Sequence, residues 1–284
     1  MIRSTPVPLS FICVQPDDGK CSDSPPIVFL HGLCRFKANW GSIPQEVANA
    51  TQRKVYVIDA RNHGDSEWCD EFTFDKNSED LLHFMDYIGA PKATLVGHSM
   101  GGLTSIKTAL RAPERVENLV IEDMYVKRIP QTVTDDIVKY LNLMGKATDE
   151  IQPEVDESTA KNMIGKNIMN QYPDAENYEK RDHQGDFDLK RKSDGRYYHS
   201  CNVDAIVKAM SDNETLMTEN TGEFCGPTAF IYGGKSPFKV GEDEENIKGC
   251  FPNAEIIKID EADHEVHYEF PAQFTEALLG FLNK

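Results

Sequence analysis

The chain has 284 residues, a formal net charge of −17 at pH 7, and no apolar run near the ~20 residues of a membrane-spanning helix. The acidic excess argues against nucleic acids and anionic lipid surfaces as partners, because both repel a negatively charged protein. The seven cysteines are an odd number without metal-ligand spacing, which indicates free thiols and no metal site.

Short apolar runs bounded by turn residues are typical of buried strands in a mainly parallel sheet. Helical patterns lie between several of these runs, and this alternation predicts a doubly wound α/β fold. The last helical pattern, 274–282, follows Pro271 and predicts a closing amphipathic helix with proline in its first turn. The six predicted strands are 27–30, 55–58, 93–96, 119–121, 228–232 and 256–259.

The first predicted strand is followed by His31, Gly32 and Leu33. Alone, these residues indicate a strand-ending turn with an inward-facing histidine. With the serine motif farther along the chain, they fit the place of an oxyanion-binding amide, which Leu33 would supply. Cys34 comes next and is interpreted as a buried structural thiol, although a role at the mouth of a site stays open.

Residues 97–102 read Gly-His-Ser-Met-Gly-Gly and lie between a strand pattern and a helical pattern. A serine hydroxyl is a poor nucleophile at neutral pH, so it must be held exposed beside a base. A sharp strand-to-helix turn does this, and Gly97 and Gly101 stand where a β-carbon would collide with backbone. The motif therefore predicts Ser99 as a nucleophile and the amide of Met100 as an oxyanion donor.

Asp123 is the candidate orienting acid, because it ends the strand that follows the serine motif. A later strand, 228–232, has Ser236 where an acid is ordinarily expected. Glu122 would point to the opposite side if the strand alternation persists, and Asp263 is too near the candidate histidine in sequence. A capping aspartate without a chemical role is the alternative.

The stretch 127–221 interrupts the strand rhythm with charged helical segments. We interpret it as a cap inserted into a core domain that consists of 1–126 and 222–284. Apolar residues of the cap could cover an acyl pocket, but their spacing of three and four favours packing within the cap. These residues are Leu143, Met144, Met163, Ile164, Ile168 and Met169.

His264 is the candidate general base, because it follows the last predicted strand, where a loop can carry an imidazole over the sheet edge. His267 is the competing candidate. His63 and His98 are interpreted as scaffold histidines that are packed or hydrogen-bonded.

Together these motifs resemble the α/β-hydrolase family, and within it the group of abhydrolase domain-containing protein 11 and bacterial esterases of the same branch. The resemblance runs from about residue 26 to 271 and is weakest in the cap. It implies an α/β-hydrolase fold, an orienting acid at Asp123, and Ser236 as an auxiliary hydrogen-bonding group near the catalytic histidine. Cys34 and the Asp-His-Glu of 263–265 depart from the family pattern. The resemblance rests on 59–66, 97–102, 233–237, His264 and 266–267.

The predicted activity is hydrolysis of a small carboxylic ester or thioester through an acyl-enzyme, with a Ser99, Asp123 and His264 triad and no cofactor or metal. A perhydrolase or carbon–carbon hydrolase could use the same triad, and a non-catalytic binding protein on this scaffold is the alternative from another class. The serine disfavours epoxide or haloalkane hydrolysis, which needs an aspartate nucleophile. We expect a monomer or dimer inside the cell, in the cytoplasm, with a mitochondrial location left open.

Overall fold

A computed structural model describes residues 6–171 and 188–284 of the protein. Its strands are β1 (Phe11–Val14), β2 (Ile27–Leu30), β3 (Val55–Ile58), β4 (Ala93–His98), β5 (Val116–Glu122), β6 (Leu189–Arg191), β7 (Tyr197–His199), β8 (Thr228–Gly233) and β9 (Ala254–Ile259). Seven of them form one sheet in the order β1-β3-β2-β4-β5-β8-β9. β1 runs antiparallel to β3, and the other neighbouring pairs of this sheet are parallel. The predicted mainly parallel sheet is confirmed.

The helices are α1 (Ile43–Thr51), α2 (Phe74–Tyr87), α3 (Met100–Arg111), α4 (Gln131–Asp149), α5 (Glu157–Gln171), α6 (Val203–Met210), α7 (Asn213–Leu216), α8 (Glu244–Cys250), α9 (Val266–Glu269) and α10 (Pro271–Leu282). α2 and α3 pack together on one face of the sheet, and α1 and α10 pack together on the other. Both faces of the central strands are therefore covered, which explains why β2 and β4 consist of buried residues throughout.

The predicted cap contains α4 to α7 and an antiparallel hairpin of β6 and β7. Met144 and Ile164 are buried in the same apolar cluster as side chains of α2 and α3, whereas Met163 is 45% exposed. Residues 172–187 of the predicted cap and the side chain of Met169 lie outside the described part of the chain. The division into a core and a cap stays a prediction.

Within the described ranges, none of the helices combines the length and the apolar character that crossing a bilayer requires.

Candidate active site

Ser99 lies at the tight turn between β4 and α3, and its backbone has φ 51° and ψ −111°. A positive φ is uncommon for a residue with a side chain and is held here by its neighbours. A β-carbon on Gly97 would lie 2.3 Å from the carbonyl oxygen of Gly101, and one on Gly101 would lie 2.2 Å from that of Leu30. Both positions therefore require glycine, and the turn presents Ser99 at the carboxyl edge of the sheet.

Asp123 follows β5 at the same edge and is fully buried. Its Oδ1 accepts a hydrogen bond of 3.0 Å from the backbone amide of Gly233. Its Oδ2 accepts one from the Ser236 hydroxyl and one of 2.6 Å from His264 Nδ1. Three donors compensate the loss of water around this carboxylate, so the acid is fixed in place.

His264 lies in the loop after β9, where hydrogen bonds fix its backbone and a neighbouring aromatic ring packs on its imidazole. Asp263 accepts a 2.7 Å hydrogen bond from the His264 amide, and His98 Nε2 donates one of 3.0 Å to the His264 carbonyl. Phe238 stacks on the ring with centroids 4.3 Å apart. Because Nδ1–H is donated to the acid, Nε2 is the basic nitrogen of the neutral ring.

The Ser99 hydroxyl makes no hydrogen bond to His264 in the described part of the chain. The two residues are joined through His98, which directly precedes Ser99 and bonds to the His264 backbone. Hydrogen bonds between a nucleophile and its base often shorten only when substrate is bound.

Glu122 and His267 form a second buried carboxylate–histidine pair beside the first. His267 donates to Glu122 from its backbone amide at 2.8 Å, and its Nδ1 lies 2.8 and 2.9 Å from the two carboxylate oxygens. Trp40 packs on the His267 ring with centroids 4.4 Å apart. Glu122 ends β5 and Asp123 follows it with a backbone φ of 45°, and the two carboxylates contact different histidines.

His98, Glu122 and His267 are buried and place their ligand atoms within 4.8 Å of one another, so they form a group that could hold a metal ion. The hydrogen bonds between Glu122 and His267 account for this arrangement without an ion. Burial, followed by the charges of His264 and His267, holds the pKa of His98 well below its usual range. His98 is therefore neutral and acts as a support for the His264 loop.

The backbone amides of Leu33 and Met100 have no hydrogen-bond acceptor in the described part of the chain. The loop that carries Leu33 is braced by His31, whose Nδ1 lies 2.7 Å from the Gly32 carbonyl and whose Nε2 accepts from the Ala60 amide at 3.0 Å. Burial lowers the pKa of His31 to about 3, so its ring is neutral and can make both bonds.

Arg35 and Glu265 connect the Leu33 loop to the His264 loop. Arg35 Nε and Nη2 donate to the two oxygens of Glu265 at 2.7 and 2.8 Å, although the residues are 230 positions apart. This forked pair fixes the two loops relative to each other. Sequence reasoning missed this ion pair; the signal was that the Asp-His-Glu of 263–265, which contains Glu265, departs from the family pattern.

Residues 25–271 match the sequence profile of the family described as alpha/beta hydrolase fold. The chain belongs to the α/β-hydrolase family. A mouse protein named sn-1-specific diacylglycerol lipase ABHD11 is 32% identical to this α/β-hydrolase over 279 residues, which are 98% of this chain and 86% of the mouse protein. A probable alcohol acetyltransferase of Wickerhamomyces anomalus is 28% identical to this chain, and the match covers 91% of this chain and 79% of the acetyltransferase.

Among solved structures, this α/β-hydrolase is similar to a marine microorganism esterase, with a TM-score of 0.77 and 26% identity over 97% of this chain and 99% of the esterase. The predicted family and fold are thereby confirmed. The family and the names of the mouse lipase and the marine esterase support ester hydrolysis as the broad class of activity.

Proposed function

We propose that the protein is a serine hydrolase of carboxylic esters or thioesters that works through an acyl-enzyme. The observation that carries the proposal is the 2.6 Å contact between His264 Nδ1 and Asp123, at the sheet edge where the strained Ser99 turn ends. These three residue types in this chain order match the arrangement that activates a serine on this fold.

In the first half of the reaction, Ser99 Oγ attacks the carbonyl carbon of the ester while His264 Nε2 takes the hydroxyl proton. The oxygen that becomes negative is bound by the Leu33 and Met100 amides, which have no other acceptor in the described ranges. The carbon–oxygen bond to the alcohol then breaks, and His264 returns its proton to the leaving alcohol. Water then attacks the carbonyl carbon of the acyl-enzyme while His264 takes its proton. His264 returns the proton to Ser99 as the carboxylic acid leaves.

Asp123 holds the Nδ1–H tautomer of His264 and stabilises the imidazolium that forms in each half of the reaction. Ser236 donates to the same carboxylate and so is an auxiliary group that orients the acid rather than one that reacts. No step of this mechanism needs a cofactor or a metal ion.

The proposed substrate is a small ester or acyl compound with an apolar acyl part. Phe238 stacks on the base, and its ring centroid lies 5.8 Å from that of buried Tyr125, so an apolar wall stands next to the reacting centre. The segment 127–221 is proposed as the cap that bounds the acyl site. We also propose that the enzyme is a monomer or a dimer, that it lies inside the cell, and that it has no nucleic-acid partner.

Hydrolysis of p-nitrophenyl esters from acetate to palmitate tests the proposal and finds the preferred acyl length. The Ser99→Ala variant should lose at least about 10³-fold in turnover on every ester, because the attacking oxygen is gone. Ser42→Ala removes an exposed hydroxyl outside the site and is the matched control. Retention of turnover in Ser99→Ala would contradict the proposal.

A further inference from the structure

Arg35 and Glu265 lie beside two groups of the proposed site, and neither side chain takes part in the proposed reaction steps. Arg35 is two residues after Leu33, whose amide is a proposed oxyanion donor, and Glu265 directly follows His264. Arg35 Nε and Nη2 donate to the two carboxylate oxygens of Glu265 at 2.7 and 2.8 Å. The fork therefore connects the oxyanion donor to the base by a short path.

This ion pair is shielded enough from water to hold its geometry. The side chains of Arg35 and Glu265 are 20% and 13% exposed. A fully exposed pair contributes little, because water and salt screen its charges. With little exposure and two parallel N–H to O bonds, both the separation and the orientation of the two groups are fixed. The pair is therefore a rigid link rather than a mobile surface contact.

The turn that carries Leu33 closes at Arg35. The Arg35 amide donates a hydrogen bond of 3.2 Å to the Gly32 carbonyl, and Cys34 has a backbone φ of 57°. A bond between the first and fourth residues, with a positive φ at the third, fits a type II turn. A shift of the Arg35 backbone would therefore also move the Leu33 amide.

The other side of this turn packs on the serine turn. A β-carbon on Gly32 would lie 2.6 Å from His98 Nδ1 and 3.6 Å from the Ser99 β-carbon. His98 Nε2 donates to the His264 carbonyl at 3.0 Å. His98 thus lies between the oxyanion turn, the serine turn and the loop of the base. The arginine–glutamate fork joins the first of these segments directly to the third.

We propose that Arg35 and Glu265 are positioning residues that hold the Leu33 amide and His264 at the relative position that the transition state requires. This inference rests on the proposed serine hydrolase function. The tetrahedral intermediate needs an amide on its oxyanion while the imidazolium holds the transferred proton, so both groups must lie at fixed distances from one carbon. Ground-state binding of the ester makes neither demand, so the link raises kcat and leaves KM nearly unchanged.

The Arg35→Gln and Glu265→Gln variants test the proposal with p-nitrophenyl acetate. Each should lose at least about 10-fold in kcat with KM changed less than about 2-fold, because a displaced donor weakens only the transition state. The double variant should lose no more than the worse single variant, since both substitutions break the same link. A wild-type kcat in Glu265→Gln, a loss confined to KM, or losses that multiply in the double variant would overturn the proposal.

Inhibition by a trifluoromethyl ketone gives a readout that a merely structural role would not move. Ser99 Oγ adds to the ketone carbon and forms an oxyanion like that of the reaction. Across the wild type, Arg35→Lys and Glu265→Gln, the inhibition constant should rise by the factor by which kcat falls. Arg35→Lys keeps the charge but not the fork, so it should lose less than Arg35→Gln. An unchanged inhibition constant in a variant with lowered kcat would overturn the proposal.

Glu117→Gln is the matched control, because Glu117 also accepts a hydrogen bond from an arginine, Arg53. This pair lies near the starts of β3 and β5, at the sheet edge opposite to Ser99. Its kcat should stay within about 2-fold of the wild type, and a loss equal to that of Glu265→Gln would overturn the proposal. Loss of turnover in Ser99→Ala with full turnover in Glu265→Gln would refute the link alone, whereas turnover retained in Ser99→Ala would refute the hydrolase function.

Discussion

At the scale of single residues, the site depends on which of two adjacent carboxylates contacts which of two nearby histidines. Asp123 contacts His264 and Glu122 contacts His267. Glu122 is the last residue of β5, whereas Asp123 follows the strand with a backbone φ of 45°. The sequence predicts that Glu122 points away from the side of Asp123, but it does not identify His267 as the partner of Glu122. The Ser236 contact to the acid was implied only by the family resemblance.

The Asp123→Asn variant should lower turnover on p-nitrophenyl acetate by about 10³- to 10⁴-fold without unfolding the protein, because an amide no longer holds the required His264 tautomer. Asp263→Asn is the matched control, since Asp263 bonds to the His264 backbone at 2.7 Å and not to its ring. Steady-state kinetics of both variants decides the assignment. An equal loss in the two variants would contradict Asp123 as the orienting acid.

At the scale of elements, the turn at Ser99 requires β2, β4 and α3 to lie very close together. No side chain fits at Gly97 or Gly101, where these elements meet. Sequence predicts this turn well because glycine spacing and the flanking strand and helix patterns are local signals. The Arg35–Glu265 link between two loops was not predictable, because its partners are 230 positions apart. β1 was also missed, since it is a partly exposed edge strand without a continuous apolar run.

The Gly101→Ala variant should lose about 3 kcal/mol or more of unfolding free energy, because its β-carbon would lie 2.2 Å from the Leu30 carbonyl oxygen. Gly280→Ala in α10 is the control, since nothing lies within 4 Å of its β-carbon. Alanine is the better helix former, so the control should gain about 0.5–1 kcal/mol. Urea unfolding measures the free energy of unfolding of both variants. An unchanged value for Gly101→Ala would contradict the close approach of Gly101 to the Leu30 carbonyl.

At the scale of the whole molecule, the fold buries several histidines in the neutral state and therefore resists acid poorly. Burial lowers the pKa of His31 to about 3 and that of His199 to about 4, and it lowers the pKa of His98 as well. The unfolded chain binds protons on these rings near pH 6.5, so folding stability falls as the pH drops below that value. Sequence alone shows the histidines but not their burial.

The His199→Gln variant isolates this effect away from the active site. His199 bonds to Thr148 at 2.6 Å and is buried in the predicted cap, with Asp149 and Asp188 as the charged groups that partly offset the burial. Between pH 7.5 and 5, the wild type should lose about 2 kcal/mol more unfolding free energy than His199→Gln. Urea unfolding at both pH values checks this. Equal losses would show that His199 titrates normally.

The parts of the fold that the sequence predicts best are the strands buried on both faces. The predicted bounds of β2 and β3 agree with the structure, because four consecutive apolar residues leave little room for another interpretation. The short hairpin of β6 and β7 was missed, since its three-residue strands contain charged and polar side chains.

We propose Ser99 as the residue that carries the acyl group. Treatment with a fluorophosphonate probe, followed by intact-mass measurement and peptide mapping, tests it directly, because the probe phosphonylates an activated serine. We expect one adduct, located on Ser99, and none in Ser99→Ala. An adduct on another serine, or equal labelling of the Ser99→Ala variant, would contradict it.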